Sequence, residues 1–148
     1  MIEVRQACAD DLDGMVELLG QLEEVTETPT PVSRPTVQRT YEAMLRSPQI
    51  YRNYVAVEGR QVLGLISLVL YKTLLHERGT ALINEPVVAG EARRQGIGRR
   101  LVQTAIAAAR ECGMDEIEVG TETGNEAARH FYGEVGFNRE YVLFGMEF

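Results

Sequence analysis

The stretch INEPVVAGEARRQGIGRRLVQTAIAAARECG, residues 83–113, constrains the fold more than any other part of the chain. It opens as an apolar β-like run and passes through a turn holding two glycines and four arginines. It continues as a helix whose buried stripe is Ile97, Leu101, Ala105, Ala108 and Cys112, with Gly113 as the stop. A strand feeding such a helix must pack it back onto its own sheet, so the chain is an α/β domain.

The turn aims several backbone N–H groups, and the positive end of a helix dipole, at one place that suits phosphate. Glycines there let an anion approach with no Cβ in the way. The chain has formal charge −7, yet arginines crowd residues 93–100, and Lys72 is the only lysine. A planar guanidinium matches phosphate oxygens better than an ammonium does. The plain alternative is a glycine-rich turn before a solvated basic helix start. Basic side chains there oppose the dipole by ~0.3–1 kcal/mol each, and a bound anion turns that cost into attraction. Two nucleotide motifs fit poorly. The P-loop needs a lysine that is absent here. The dinucleotide pattern GxGxxG reads GIGRRL, with Leu101 in place of the third glycine, and lies mid-chain instead of after a first strand.

Alternation predicts a first strand over Ile2–Ala7. Leu12, Met15, Val16, Leu19 and Leu22 predict a helix over about 10–24. Three prolines make residues 26–35 a loop. Val37, Tyr41, Met44 and Leu45 mark a second helix running to about Arg46, which Ser47-Pro48 ends. YRNYVAVE and QVLGLISLVLYK read as a hairpin turning at Gly59, and TALINEPVVAG as a third long β-run broken by Pro86. After the glycine-turn helix come a short strand, DEIEVGT, and a helix over about Asn125–Val135 that Gly136 stops. REYVLFGMEF reads as a closing strand. The order β-α-α-β-β-β-α-β-α-β gives a mixed sheet flanked by helices.

The 148 residues make one domain, 1–148, without repeat or linker. No apolar run reaches the ~20 residues a bilayer crossing needs, so no membrane partner is expected. The opening MIEVRQACADDLDGM lacks a signal peptide's basic and apolar regions, which predicts a cytoplasmic location. Cys8 and Cys112 form no CxxC, and His76 and His130 have no ligand-spaced companions, so reduced thiols and no metal are expected. Net acidity argues against nucleic acid, which calls for a basic face.

RRQGIG matches the (Q/R)xxGx(G/A) pyrophosphate loop of the GNAT superfamily of acetyl-CoA-dependent N-acetyltransferases, and NEAARHFYGEVGF resembles its second signature, NxxAxxFYxxxGF. The element order also resembles that family's, over essentially the whole chain. The resemblance implies the GNAT, or acyl-CoA N-acyltransferase, fold: α/β with a mixed, mostly antiparallel sheet. It implies acetyl-CoA as co-substrate, with its pyrophosphate on Arg93, Arg94, Gln95, Gly96, Ile97, Gly98 and Arg99, and its pantetheine arm along Val87, Val88 and Ala89 like an added strand. In the family this strand splays from its neighbour to admit the arm, and Pro86, lacking an N–H, would suit a strand leaving regular pairing; an ordinary edge-strand proline is the other reading.

Acetyl transfer needs a deprotonated amine, a donor for the oxyanion and a proton for the departing thiolate. The resemblance implies direct attack on the thioester in a ternary complex, with Tyr132 protonating the CoA sulfur and a backbone N–H near Val88 serving the oxyanion. Tyr132 also shares a helical stripe with Ala128, Phe131 and Val135, so core packing is its other reading. Asn125 would contact the cofactor or cap its helix, and His130 reads as a surface residue. Glu85 is the candidate base. Asn84 occupies the place where the family often has a glutamate, which leaves solvent and first-helix acids as competitors.

The resemblance implies as acceptor a primary amine on a small molecule or peptide. Acids in the first segment (Asp10, Asp11, Asp13, Glu17, Glu23, Glu24, Glu27) either wall the acceptor site and attract a cationic amine or form a solvated helix face. A non-catalytic acyl-CoA-binding sensor or regulatory domain is the alternative function. By analogy with relatives, YVLFGMEF is a pairing surface for a homodimer.

Overall fold

The computed structural model describes residues 1–27 and 29–148. Strand β1 (Ile2–Gln6) leads through a 3-10 turn (Ala9–Asp11) into helix α1 (Leu12–Glu24), and helix α2 spans Arg34–Leu45. Strands β2 (Tyr51–Glu58), β3 (Gln61–Tyr71) and β4 (Thr80–Val88) follow. A second 3-10 turn (Gly90–Ala92) leads to α3 (Ile97–Glu111), then β5 (Glu116–Val119) and α4 (Glu126–Val135). The sheet runs β1-β2-β3-β4-β5, antiparallel except for the parallel β4–β5 pair.

Helices α1 and α2 cover one face of the sheet and α3 the other. Gly14 of α1 lies so close to Val62 that a Cβ would stand 2.6 Å from that side chain, and Asn53 of β2 reaches Met44 of α2. On the opposite face Gly64 admits Leu101 and Ile97 of α3. Under α3 the strand residues Ile66, Leu68, Ala81 and Ile83 are at most 2% exposed. Burial of each such leucine or isoleucine side chain stabilises the fold by about 1.5–3 kcal/mol. No helix among the described residues is long and apolar enough to cross a membrane.

Two expectations change. The second helix begins at Arg34, inside the segment read as loop. The Ser33 side chain caps it by accepting from the Thr36 N–H, and Pro35 falls in the first turn, where a missing N–H costs nothing. Thr28, in the same expected loop, lies outside the described residues. The closing strand does not form: residues 137–148 carry no strand, and Leu143, Phe144 and Phe148 are at least 90% exposed. The segment is fastened early, by Arg129 donating to Glu140 at 3.0 Å and by Tyr141 Oη donating to Glu116 at 3.3 Å. Aromatic and branched residues supply β-propensity, but a strand also needs a partner backbone. The adjacent sheet edge, β5, is four residues long.

Candidate active site

Strand β4 positions the site because its two edges part company. Along β3 it stays paired from Thr80 to Val88, whereas β5 accompanies it only from Thr80 to Ile83. From Asn84 onward the edge of β4 facing β5 is open. The parting coincides with a bulge: Ser67 pairs with Asn84 and Leu65 with Val87, so Glu85 and Pro86 together oppose Ile66. Glu85 takes φ 46°, in the left-handed region uncommon for a residue with a side chain, and such bulges re-aim strand residues. Pro86 therefore sits in a bulge on the stretch of β4 whose β5-facing edge is open. Glu85 is open to solvent on one side, yet enough protein surrounds its carboxyl to push its pKa above the ordinary carboxylate range.

The open edge leads to the arginine–glycine loop. Arg94 and Gly96 both have positive φ, 62° and 78°, which curls the backbone so that successive N–H groups converge. Among the described residues no backbone N–H from Arg93 to Arg99 donates to a protein acceptor; the first α3 amide to do so is that of Arg100, to the Gly96 carbonyl at 3.1 Å. These free donors stand at the N-terminus of a 15-residue helix. Val87, Ala89 and Ile97 are buried, so whatever they offer a ligand comes through their backbone. Arg93, Arg94, Gln95 and Arg99 are exposed. Arg93 donates to the Val88 carbonyl at 3.3 Å, and Arg99 pairs with Glu134 of α4 at 3.8 Å.

Gly98 joins three elements: a Cβ there would lie 3.7 Å from Val88 and 3.8 Å from Phe131. Helix α4 thus docks beside the start of α3, where Asn125 caps it by accepting from the Ala128 N–H at 3.0 Å. Tyr132 is half-buried, edge-on to Phe131 and to Phe137 with centroids 5.3 and 5.6 Å away, and burial pushes its hydroxyl pKa up. It stays protonated at neutral pH, as a proton donor must. His130 is exposed, 3.7 Å from Glu134.

Three of the seven first-segment acids are engaged elsewhere. Asp11 is buried against Arg5, Asp13 is held by Arg34 at 2.7 Å, and Glu23 accepts from the Val32 N–H at 3.3 Å. Sequence reasoning missed the carboxylates of the segment 116–122. Glu122 accepts the Glu27 N–H at 2.9 Å across the open edge, Glu118 accepts from Tyr71 Oη at 3.2 Å, and Glu116 meets His76 at 2.8 Å. The alternation in DEIEV was the available signal. Among the described residues no three His, Cys, Asp or Glu side chains converge as a metal site would require.

A profile described as the acetyltransferase (GNAT) family matches residues 17–137. The aminoalkylphosphonate N-acetyltransferase of Salmonella typhimurium is 27% identical over 142 residues, covering 96% of this chain and 88% of that protein. Human N-alpha-acetyltransferase 30 is 32% identical over 116 residues, covering 76% of this chain and 31% of that longer protein. The crystal structure of a transcriptional regulator from Bacillus halodurans superposes with a TM-score of 0.85 at 28% identity, covering 100% of both chains.

Proposed function

Since this chain belongs to the GNAT acetyltransferase family, whose co-substrate is acetyl-CoA, we propose that it transfers the acetyl group to a primary amine by direct attack in a ternary complex. The observation that carries this reading is the continuity of the open β4 edge with the free amides of residues 93–99. A strand-like arm can add to the edge while its terminal pyrophosphate meets the loop. Arg93, Arg94, Gln95, Gly96, Ile97, Gly98 and Arg99 would cradle the pyrophosphate, with Val87, Val88 and Ala89 lending backbone groups to the arm.

In this reading the acceptor amine approaches the thioester beside the bulge, where Glu85 takes its proton directly or through water. The raised pKa of Glu85 makes it a better proton acceptor than an ordinary carboxylate. The amine nitrogen adds to the thioester carbonyl, the oxyanion so formed meets the backbone N–H near Val88, and its collapse reforms the C=O and breaks the C–S bond as Tyr132 Oη protonates the departing sulfur. Asn125 fixes α4, and with it Tyr132, through its Oδ1 cap, and its Nδ2 keeps two donors for the cofactor. The exposed apolar side chains of residues 142–148 support pairing of two copies, which ultracentrifugation reads directly.

Thermal unfolding with acetyl-CoA, CoA and NAD in parallel tests the first step. A ligand at about 100 times its Kd adds ~2.7 kcal/mol, a shift of roughly 5–10 °C here, with acetyl-CoA and CoA but not NAD. Thiol release on adding amines tests the second, and Tyr132→Phe should slow it. Binding of acetyl-CoA without release on any amine, unchanged by Tyr132→Phe, would instead favour a non-catalytic sensor.

A further inference from the structure

The two faces of the sheet are covered unequally. On the α3 face the central strands are sealed. On the α1–α2 face, α1 crosses only one end of β3 and β4, with Gly14 against Val62 and Gln21 accepting from the Gly90 N–H at 3.1 Å. Val69, Leu82 and Asn84 are left half-exposed in the middle of the sheet. Register places them on one face: Val69 opposes Leu82, Ser67 opposes Asn84, and Leu82 pairs with Glu118 of β5. Glu118 therefore points from the same face, beside an apolar floor. It stands two residues before the point at which β4 and β5 separate, about 7 Å along the strand.

Of the two carboxylates of β5, Glu118 is the one without a nitrogen partner, and Glu122, beyond the strand, is taken up by the Glu27 N–H. Glu116 has His76 at 2.8 Å, whereas Glu118 has only the neutral Tyr71 hydroxyl at 3.2 Å and no ion pair among the described residues. A half-buried carboxylate fixed by one hydrogen bond keeps acceptor capacity for a cation. An acceptor lying on the open face, with its reacting amine at the bulge, would set the rest of its length over Val69 and Leu82 and its far end at Glu118.

Resting on the acetyltransfer reading, we propose that Glu118, oriented by Tyr71, selects an acceptor carrying a second cationic group one short alkyl stem away from the amine that is acetylated. The acceptor is thus a diamine-like or lysine-like cation. An aminoalkylphosphonate, the class named for the Salmonella relative, would bring an anion to this carboxylate and be rejected.

The experiment uses the intact chain and acetyl-CoA, with putrescine, n-butylamine and aminoethylphosphonate as acceptors, reading thiol release. Putrescine and butylamine share a four-carbon stem and differ in the second charge. Putrescine is expected to exceed butylamine in kcat/KM by roughly tenfold, mainly through KM, with aminoethylphosphonate slowest. Glu118→Gln should bring putrescine down to the level of butylamine while the acetyl-CoA thermal shift persists, and Tyr71→Phe should lie between. Equal use of the two amines, preference for the phosphonate, or an undiminished putrescine preference in Glu118→Gln overturns the proposal and leaves acetyltransfer standing. Acetyl-CoA binding with no turnover of putrescine also overturns it. Absence of any thermal shift with acetyl-CoA removes the acetyltransfer reading and this one with it.

Discussion

The backbone N–H of Glu27 donates to the carboxylate of Glu122 at 2.9 Å, although the two are 95 residues apart. The bond ties the connection after α1 to the segment after β5, across the opening left where β4 and β5 separate. Glu23 holds the same connection at Val32 by a bond of 3.3 Å. Two carboxylates thus fix a stretch of chain that has few apolar contacts of its own.

Removing one tie should loosen that stretch without unfolding the protein. Glu122→Ala is expected to cost no more than ~1 kcal/mol of global stability, since the bond lies at the surface. Amide exchange at Glu27 should accelerate strongly, and the acceptor KM should rise. Glu122→Gln keeps a carbonyl acceptor and should restore most of the protection. Hydrogen exchange of both variants is the measurement.

Glu85 should set the acidic limb of the pH–rate profile. Burial raises its pKa, so the carboxylate form a base requires is lost at a higher pH than an ordinary glutamate, ~4.3, would dictate. Activity should therefore rise with pH through an inflection above that value. Glu85→Gln should remove the inflection and lower kcat by roughly a hundredfold or more, the usual scale for losing a positioned base. A profile unchanged in the variant would assign the proton to solvent.

Some of this architecture could be read from residue order, and some depends on pairings that order does not reveal. The hairpin at Gly59 and the helix beginning at Ile97 follow from local signals, and both are where expected, with Gly59 at φ 61°. Pro86 signalled irregular pairing, but the unusual conformation falls on its neighbour Glu85. The row Asn53–Ser67–Asn84 across three strands was invisible, because a bulge on either side of β3 sets the register that aligns it. Ser67 donates to Asn53 at 2.8 Å within that row, in the register that the β2–β3 bulge sets. The apolar, β-prone residues 141–148 suggested a strand where no partner backbone stands alongside.

Gly64 should tolerate no side chain. A Cβ would lie 2.8 Å from Leu101 and 3.1 Å from Ile97, the residue that opens α3. Gly64→Ala must push the start of α3 outward, and overpacking of this kind costs about 1–3 kcal/mol. Because Gly64 pairs with Val88, just ahead of the loop, acetyl-CoA affinity should fall along with stability. Calorimetric titration beside a melting curve would show both changes; a loss of stability with unaltered affinity would mean that the loop shifts as a rigid unit.

Asp11 should carry a pH-dependent share of the stability. Burial alone would raise its carboxyl pKa, but hydrogen bonds from Arg5 and from the Cys8 N–H, together with the guanidinium charge, outweigh burial and hold it below the usual aspartate range. The Arg5 fork binds both carboxylate oxygens, at 2.7 and 2.9 Å, and Asp11 is only 5% exposed. With its folded pKa depressed, the contribution is complete above the unfolded pKa, ~3.9, and is lost as pH falls through the folded value. Asp11→Asn removes the charge and should cost about 1.5–3 kcal/mol near neutral pH, the range for hydrogen bonds to a charged group. Urea unfolding of both forms at a series of pH values should show the difference shrinking below pH ~4, as the wild-type carboxyl begins to protonate and its advantage over asparagine disappears. A gap that stays constant into strong acid would mean that the asparagine is penalised by its geometry and not by its missing charge.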